Sequence, residues 1–208
     1  MNKQKSFNYQ FLSSFNELNF FVNKTNSHAF NILTNNNLYY LLLYGPKKSG
    51  KSFLSKIWLD KNNAIQLKDN FELFLNSKVN LLIDDLSKYN EEQIFHIVNN
   101  SILNNTKILI TSSVKINEIN FKYKDLSSRL KTFSNLEIYQ PDDEMIITIL
   151  TKLLLDKQFV INSNEIFEYI LRRIDRSYEA VYNIVNKLDV LSLEKKRQLT
   201  IPLIKEIL

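Results

Sequence analysis

Residues 39–60 read YYLLLYGPKKSGKSFLSKIWLD, and this stretch decides the fold. The chain has only two glycines in 208 residues, and both stand here, at Gly45 and Gly50. Gly45-Pro46-Lys47-Lys48-Ser49-Gly50-Lys51-Ser52 satisfies the pattern GxxxxGK[ST] at every fixed position. A loop of this kind turns successive backbone N–H groups toward one anion, and glycine supplies the backbone freedom for that turn. The flanks agree with it. Tyr39–Tyr44 is apolar at successive residues, as a strand covered on both faces reads. Lys51–Asp60 has helical spacing, and a helix starting there points its positive end at the bound phosphates. In this reading Lys51 reaches the β- and γ-phosphates of a nucleotide and Ser52 ligates Mg²⁺.

Working outward, four more apolar runs read as strands: Ala64–Leu67, Asn80–Ile83, Lys107–Thr111 and Leu136–Tyr139. Glu91–Leu103 has helical spacing between them. Alternation of strand and helix implies an α/β core around a parallel sheet. After Pro141 the character changes, and Asp142–Lys157, Asn164–Arg173, Ser177–Leu191 and Ile201–Leu208 all suit helices. Asp142 and Asp143 put negative charge at a helix start, where the helix dipole favours it. Pro202 suits a first helical turn. The expected organisation is an α/β nucleotide-binding domain over residues 11–140 and a helical unit over 141–208.

A phosphate loop needs a second acidic site for its metal. Leu81-Leu82-Ile83-Asp84-Asp85 offers one, because the carboxylates follow a buried strand at the sheet edge where ligands bind in open α/β folds. Asp84 is the expected Mg²⁺ residue. Asp85 stands where many such ATPases carry a Glu that activates water, and its shorter side chain points to slow hydrolysis. Ser112-Ser113, at the tip of the next strand, are candidates to sense the γ-phosphate or to position water. Arginine occurs only at 129, 172, 173, 176 and 197. By residue chemistry alone, Arg129 is either a surface ion-pair partner or a finger aimed at a neighbour's nucleotide. The only histidines, His28 and His96, are far apart in a chain without cysteine, which argues against zinc. His96 falls in an apolar helix pattern and reads as an interior or boundary residue.

The net charge of +5 is a weak hint of an acidic partner, because the lysines are scattered. The absence of cysteine excludes disulfides and thiolate metal sites. No apolar run approaches the roughly 20 residues that span a bilayer, and the N-terminus has no signal-peptide core. A cytoplasmic protein is the expectation from these features.

The order of phosphate loop, LLIDD, LITSS, DLSSRL and a helical tail resembles the AAA+ ATPases of the bacterial replication initiator DnaA and its short Hda-type homologues. DLSSRL (125–130) looks like that family's DL-SRL box. Asp175-Arg176-Ser177 followed by Asn186-Lys187-Leu188-Asp189 is similar to its lid. Arg197-Gln198-Leu199-Thr200-Ile201-Pro202-Leu203 resembles the Hda-type R-x-(I/L)-TIP ending. The resemblance implies a P-loop AAA+ core with a five-stranded parallel sheet flanked by helices, a C-terminal helical lid, and ADP or ATP with Mg²⁺ as ligands. It places Phe21, Val22 and Asn26 beside the adenine and Arg176 at the nucleotide. It makes Arg129 a finger acting in trans and Asp85 a catalytic carboxylate. Gln4, Phe7 and Tyr9, in a tail of residues 1–10, resemble the family's motif for the β sliding clamp of DNA polymerase III.

The implied activity is promotion, with the clamp, of hydrolysis of DnaA-bound ATP. A homodimer is a further candidate assembly. The chain ends soon after its TIP element, where initiators continue into a helix-turn-helix domain. A regulator without sequence-specific DNA binding is therefore the expectation. Glu179 departs from the pattern, since it falls where the family's lid carries a nucleotide-sensing arginine. A non-catalytic, nucleotide-dependent adaptor for replication or membrane proteins is the alternative, and a helicase loader ranks after it.

Overall fold

The computed structural model describes residues 20–35, 37–68, 71–75 and 77–208. Five strands, β1 (Tyr40–Tyr44), β2 (Ile65–Gln66), β3 (Leu81–Ile83), β4 (Ile108–Ser112) and β5 (Ser134–Glu137), form one sheet in the order β2-β3-β4-β1-β5. Every pairing is parallel. The apolar runs explain themselves in this arrangement. Leu41 and Leu43 of β1 face a layer with Ala29, Leu54 and Trp58, whereas Leu42 faces Ile97 and Leu126. The first layer holds α1 (Ser27–Asn35) and α2 (Lys51–Lys61), and the second holds α3 (Glu91–Leu103) and α4 (Lys124–Leu130). A central strand buried on both faces has no position for a polar side chain.

Three expectations need correction. The last strand begins two residues earlier than Leu136–Tyr139 and is mostly polar, with Ser134 and Asn135 paired to Leu41 and Leu42. It is an edge strand, so burial constrains its sequence less. Helices α1 and α4 were not anticipated. The start of α1 is set by Asn23, whose carbonyl accepts the N–H groups of Asn26 (3.1 Å) and Ser27 (2.8 Å). His96 is exposed on α3, edge-on to Phe95 at 5.7 Å, and is not an interior residue.

The C-terminal helices are α5 (Asp143–Asp156), α6 (Glu165–Leu171), α7 (Tyr178–Lys195) and α8 (Ile201–Lys205). They pack around a core of their own that includes Ile146, Leu150, Ile170, Val181, Leu188 and Leu203. Asp142 caps α5, its Oδ1 accepting from the Met145 N–H at 2.8 Å. Ser177 caps α7 through the Ala180 N–H at 3.1 Å. Helix α7 runs four residues beyond the expected Leu191, while α8 stops three residues short of Leu208. Tyr178 is 2% exposed and leaves this core to pack with Leu33 and Trp58 of the first layer and with Met145 of α5. Its hydroxyl donates to the Tyr139 carbonyl at 3.2 Å, and the Tyr139 N–H donates to the Thr25 carbonyl at 2.9 Å. Among the described residues no helix is long and apolar enough to cross a membrane.

Candidate functional site

Parallel strands deliver their C-terminal ends to one edge. There β1 runs into Gly45–Ser52, β3 into Asp84-Asp85, and β4 ends in Thr111 and Ser112. The two glycines are required for different reasons. A methyl group at Gly45 would stand 2.7 Å from the Ile138 carbonyl oxygen and 2.9 Å from the Ile138 Cβ. Gly45 thus permits close approach of two backbones. Gly50 has φ +92°, and a methyl group there would also lie 2.8 Å from the Phe20 ring. That ring stacks between Phe30 (5.9 Å) and Phe53 (5.4 Å), so an aromatic column seals one side of the loop.

Lys51 is half-buried and donates from Nζ to the carbonyls of Gly45 (2.8 Å) and Pro46 (2.7 Å). Burial pulls its ammonium below the ordinary lysine range, while the charges of Asp85 and Asp84 pull the other way. The Ser49 hydroxyl is buried and has no hydrogen-bond partner among the described residues. The Ser49 N–H donates to the Pro46 carbonyl at 3.3 Å, which tightens the turn. Lys47 and Lys48 are exposed, and Lys48 stands over the Tyr182 ring of α7 at 4.9 Å.

Asp84 Oδ1 accepts from Ser52 Oγ at 3.2 Å and from Thr111 Oγ1 at 2.9 Å. The two expected metal residues are therefore adjacent. Asp85 has φ 77°, and its Oδ1 accepts from the Ser87 N–H (3.2 Å) and hydroxyl (2.7 Å), capping the turn Leu86–Lys88. Ser112 closes its own turn, donating to the Val114 carbonyl at 2.7 Å and accepting the Val114 N–H at 3.2 Å. Thr111, which the sequence reading passed over, is the β4 hydroxyl that meets the carboxylates.

This donor set fits a phosphate chain with a hard divalent cation. A loop N-terminal to a helix, an ammonium, an unpartnered buried hydroxyl and a serine–carboxylate pair are all oxygen-directed. Among the described residues no three His, Asp or Glu side chains converge as a cage made of protein alone. Ser52 and Asp84 would hold one side of the ion and phosphate oxygens the other.

On the flank, Phe21 is 38% exposed and Val22 half-buried. Asn26 is 2% exposed and binds its own loop: its Nδ2 donates to the Phe21 carbonyl (2.9 Å) and its Oδ1 accepts the Asn23 N–H (3.0 Å). Asn23 ties this segment to α5 through Nδ2 bonds to Asp142 Oδ1 (2.9 Å) and Glu144 Oε2 (3.3 Å). Arg176 grips Asp143, with Nε at 2.9 Å from one carboxylate oxygen and an Nη at 3.5 Å from the other. Lys24, Asp142, Asp143, Glu144 and Arg176 line an open cleft of about 450 Å³. Burial alone would raise the Asp142 pKa. Hydrogen bonds from the Met145 N–H, Asn23 and Lys24, with the charge of Lys24, outweigh burial and hold it below the ordinary value.

Arg129 is exposed on α4, its guanidinium 5.9 Å from the centre of the Phe95 ring. Phe95 stacks in turn on Tyr123 at 6.3 Å. Among the described residues no carboxylate pairs with Arg129. Glu179 is exposed in the first turn of α7. Gln4, Phe7 and Tyr9 lie outside the described residues.

Residues 143–208 match the family described as the lid domain of Hda. The chromosomal replication initiator protein DnaA of Buchnera aphidicola subsp. Cinara cedri is 29% identical over 153 residues, which cover 71% of this chain and 34% of that protein. Domain III of the Thermotoga maritima replication initiation protein DnaA superposes with a TM-score of 0.74 at 18% identity, covering 93% of this chain and 95% of that one. AMPPCP-bound DnaA from Aquifex aeolicus superposes with a TM-score of 0.65 at 18% identity, covering 85% and 65%. The chain spans 34–41% of the length of the curated DnaA relatives it matches.

Proposed function

We propose that the chain is an Hda/DnaA-like AAA+ protein that binds ADP or ATP with Mg²⁺ and regulates replication initiation by promoting hydrolysis of ATP held by DnaA. The phosphates sit in Gly45–Ser52, with Lys51 against the β- and γ-phosphates and Ser52 and Asp84 on the ion. When bound, the ion neutralises phosphate charge. Phe21 and Val22 border the base, and Asn26 shapes the loop that carries them. Asp142 and Arg176 line the open cleft with Lys24, and Arg176, from the C-terminal helical unit, is the residue that would reach the nucleotide. The solved Aquifex aeolicus DnaA with AMPPCP supports the adenine nucleotide.

The observation that carries the catalytic part of the reading is the state of Arg129. It is exposed on α4, backed by an aromatic ring and paired with no carboxylate among the described residues. A guanidinium in that condition is available to a phosphate on another subunit, where such a finger is worth roughly 10³–10⁵ in rate in GTPase systems. Docking on the DNA-loaded sliding clamp through Gln4, Phe7 and Tyr9 would bring the two AAA+ proteins together.

The test is hydrolysis of ATP by the cognate DnaA, with loaded clamp and with this protein added as wild type, Arg129→Ala or Arg129→Lys. Wild type accelerates hydrolysis and Arg129→Ala removes the acceleration while nucleotide binding by the variant persists. Acceleration that survives Arg129→Ala sinks the finger. A second reading, a nucleotide-dependent adaptor without catalysis, is favoured by the Asp85 carboxylate being held by Ser87. It is the reading left standing if wild type binds nucleotide and DnaA but hydrolysis does not change.

A further inference from the structure

Resting on the reading that Asp84 and Ser52 hold the Mg²⁺ of a bound nucleotide, we propose that Thr111 is the positioning residue of that metal site. Its hydroxyl aims the Asp84 carboxylate and pins the backbone of Asp85. Thr111 is 1% exposed at the end of β4, a strand otherwise built of Ile108, Leu109 and Ile110 before it. A hydroxyl in such a place must find partners or carry a desolvation penalty. It finds two on the neighbouring strand's extension. Oγ1 donates to Asp84 Oδ1 at 2.9 Å and accepts the Asp85 N–H at 2.8 Å. A hydroxyl has one proton, so the acceptance from Asp85 fixes the direction of its donation to Asp84. Threonine is also stiff about χ1 in a strand, which keeps that direction constant.

The two bonds act on different quantities. The bond to Asp84 leaves Oδ1 shared by Thr111 and Ser52, so the carboxylate cannot rotate freely and its other oxygen keeps one orientation. The bond from Asp85 steadies a residue at φ 77°, ψ 96°, a backbone conformation that side-chain-bearing residues rarely adopt. The carboxylate of Asp85 adds two bonds to Ser87. Ser52 would turn its oxygen to the ion and still donate its proton to Asp84. Thr111 does not touch nucleotide in this arrangement and acts through Asp84. Ser112 and Ser113 do not share the role, because the Ser112 hydroxyl is engaged with Val114 and Ser113 is exposed.

The experiment is equilibrium binding of a fluorescent ADP to wild type, Thr111→Val, Thr111→Ser and Asp84→Asn, each with Mg²⁺ and with EDTA. Valine keeps the shape of threonine and removes both bonds; serine keeps the hydroxyl. Groups that orient a metal ligand typically contribute 10–100-fold to metal affinity, so Thr111→Val should lose about tenfold or more of the Mg²⁺-dependent gain. Its affinity in EDTA should match wild type, and Thr111→Ser should restore most of the gain. A full Mg²⁺ gain in Thr111→Val overturns the proposal. So does an equal loss with and without Mg²⁺, which marks a folding defect, or a failure of serine to restore the gain. If the gain disappears in Asp84→Asn but not in Thr111→Val, only Thr111 is wrong. If wild type shows no gain, or if Asp84→Asn keeps it, the metal reading fails and Thr111 fails with it.

Discussion

At the scale of single residues, one motif asks for two glycines and the structure gives them separate duties. Gly50 needs its backbone conformation, with φ at +92° and the Phe20 ring close by. Gly45 needs space against the backbone of Ile138. The two substitutions should therefore respond differently to a change at Phe20. Gly50→Ala carries a left-handed backbone penalty of roughly 1–2 kcal/mol plus the ring clash, and Phe20→Leu should relieve the clash alone. Gly45→Ala meets a carbonyl that no side-chain substitution moves, so Phe20→Leu should give it no relief. Chemical denaturation of the four-protein cycle for each glycine measures the coupling. Non-additivity for Gly45 and Phe20, or strict additivity for Gly50 and Phe20, would show that the aromatic column does not act on the loop as described.

At the scale of elements, helix starts carry the most local information. Asp142 caps α5, accepts from Asn23 and stands 3.4 Å from Lys24. Its carboxyl is held below its ordinary value of 3.8. A carboxylate with a depressed folded-state pKa adds stability that is fully present above the ordinary value and is lost as pH falls through the folded value. Asp142→Asn keeps a capping oxygen and removes the charge. The variant should be less stable than wild type near neutral pH, and the difference should shrink on acidification below about pH 4. A difference that stays flat or grows in acid, followed by urea denaturation across pH, would remove the charge from the explanation. The start of α5 was legible from the charge of Asp142 and Asp143, whereas the Ser177 cap and the Asn90–Gln93 box obey the same local rule and were not singled out. Helix α4 was not, because seven residues with only Leu126 and Leu130 buried are too few to show a period. Helix α1 has no acidic residue in its first turn and no basic residue in its last, so charge did not mark it. The phosphate loop could be read from its fixed positions and the carboxylates from their place after an apolar run. The role of Thr111 could not, because it depends on the register of β3 against β4, with Ile83 opposite Ile110. Nor could the Asn23–Asp142 bond, which joins residues 119 apart.

At the scale of the whole molecule, the α/β layers and the C-terminal helices have separate cores, and the question is what makes them one cooperative unit. Lys48 over Tyr182 and the Asn23–Asp142 bond are exposed or half-buried links, and their strength is limited by solvent. Tyr178 is different. It starts α7, yet its ring is 2% exposed within the core that contains Leu33 and Trp58, and burial pushes its hydroxyl up from the ordinary tyrosine range. Removing the hydroxyl in Tyr178→Phe loses one hydrogen bond to the Tyr139 carbonyl and should cost about 1 kcal/mol. Tyr178→Ala removes a large buried ring and should cost about 3–5 kcal/mol. The two losses also differ in kind. Without the hydroxyl the ring still bridges the two cores and unfolding stays cooperative. Without the ring, α5–α8 keep their own core, and calorimetry should resolve two transitions where wild type shows one. Addition of ADP with Mg²⁺ should then raise the transition of the α/β layers more than that of the helices, because binding stabilises the unit that holds the ligand. A single transition in Tyr178→Ala, moved as a whole by nucleotide, would mean that the surface links suffice to couple the two parts.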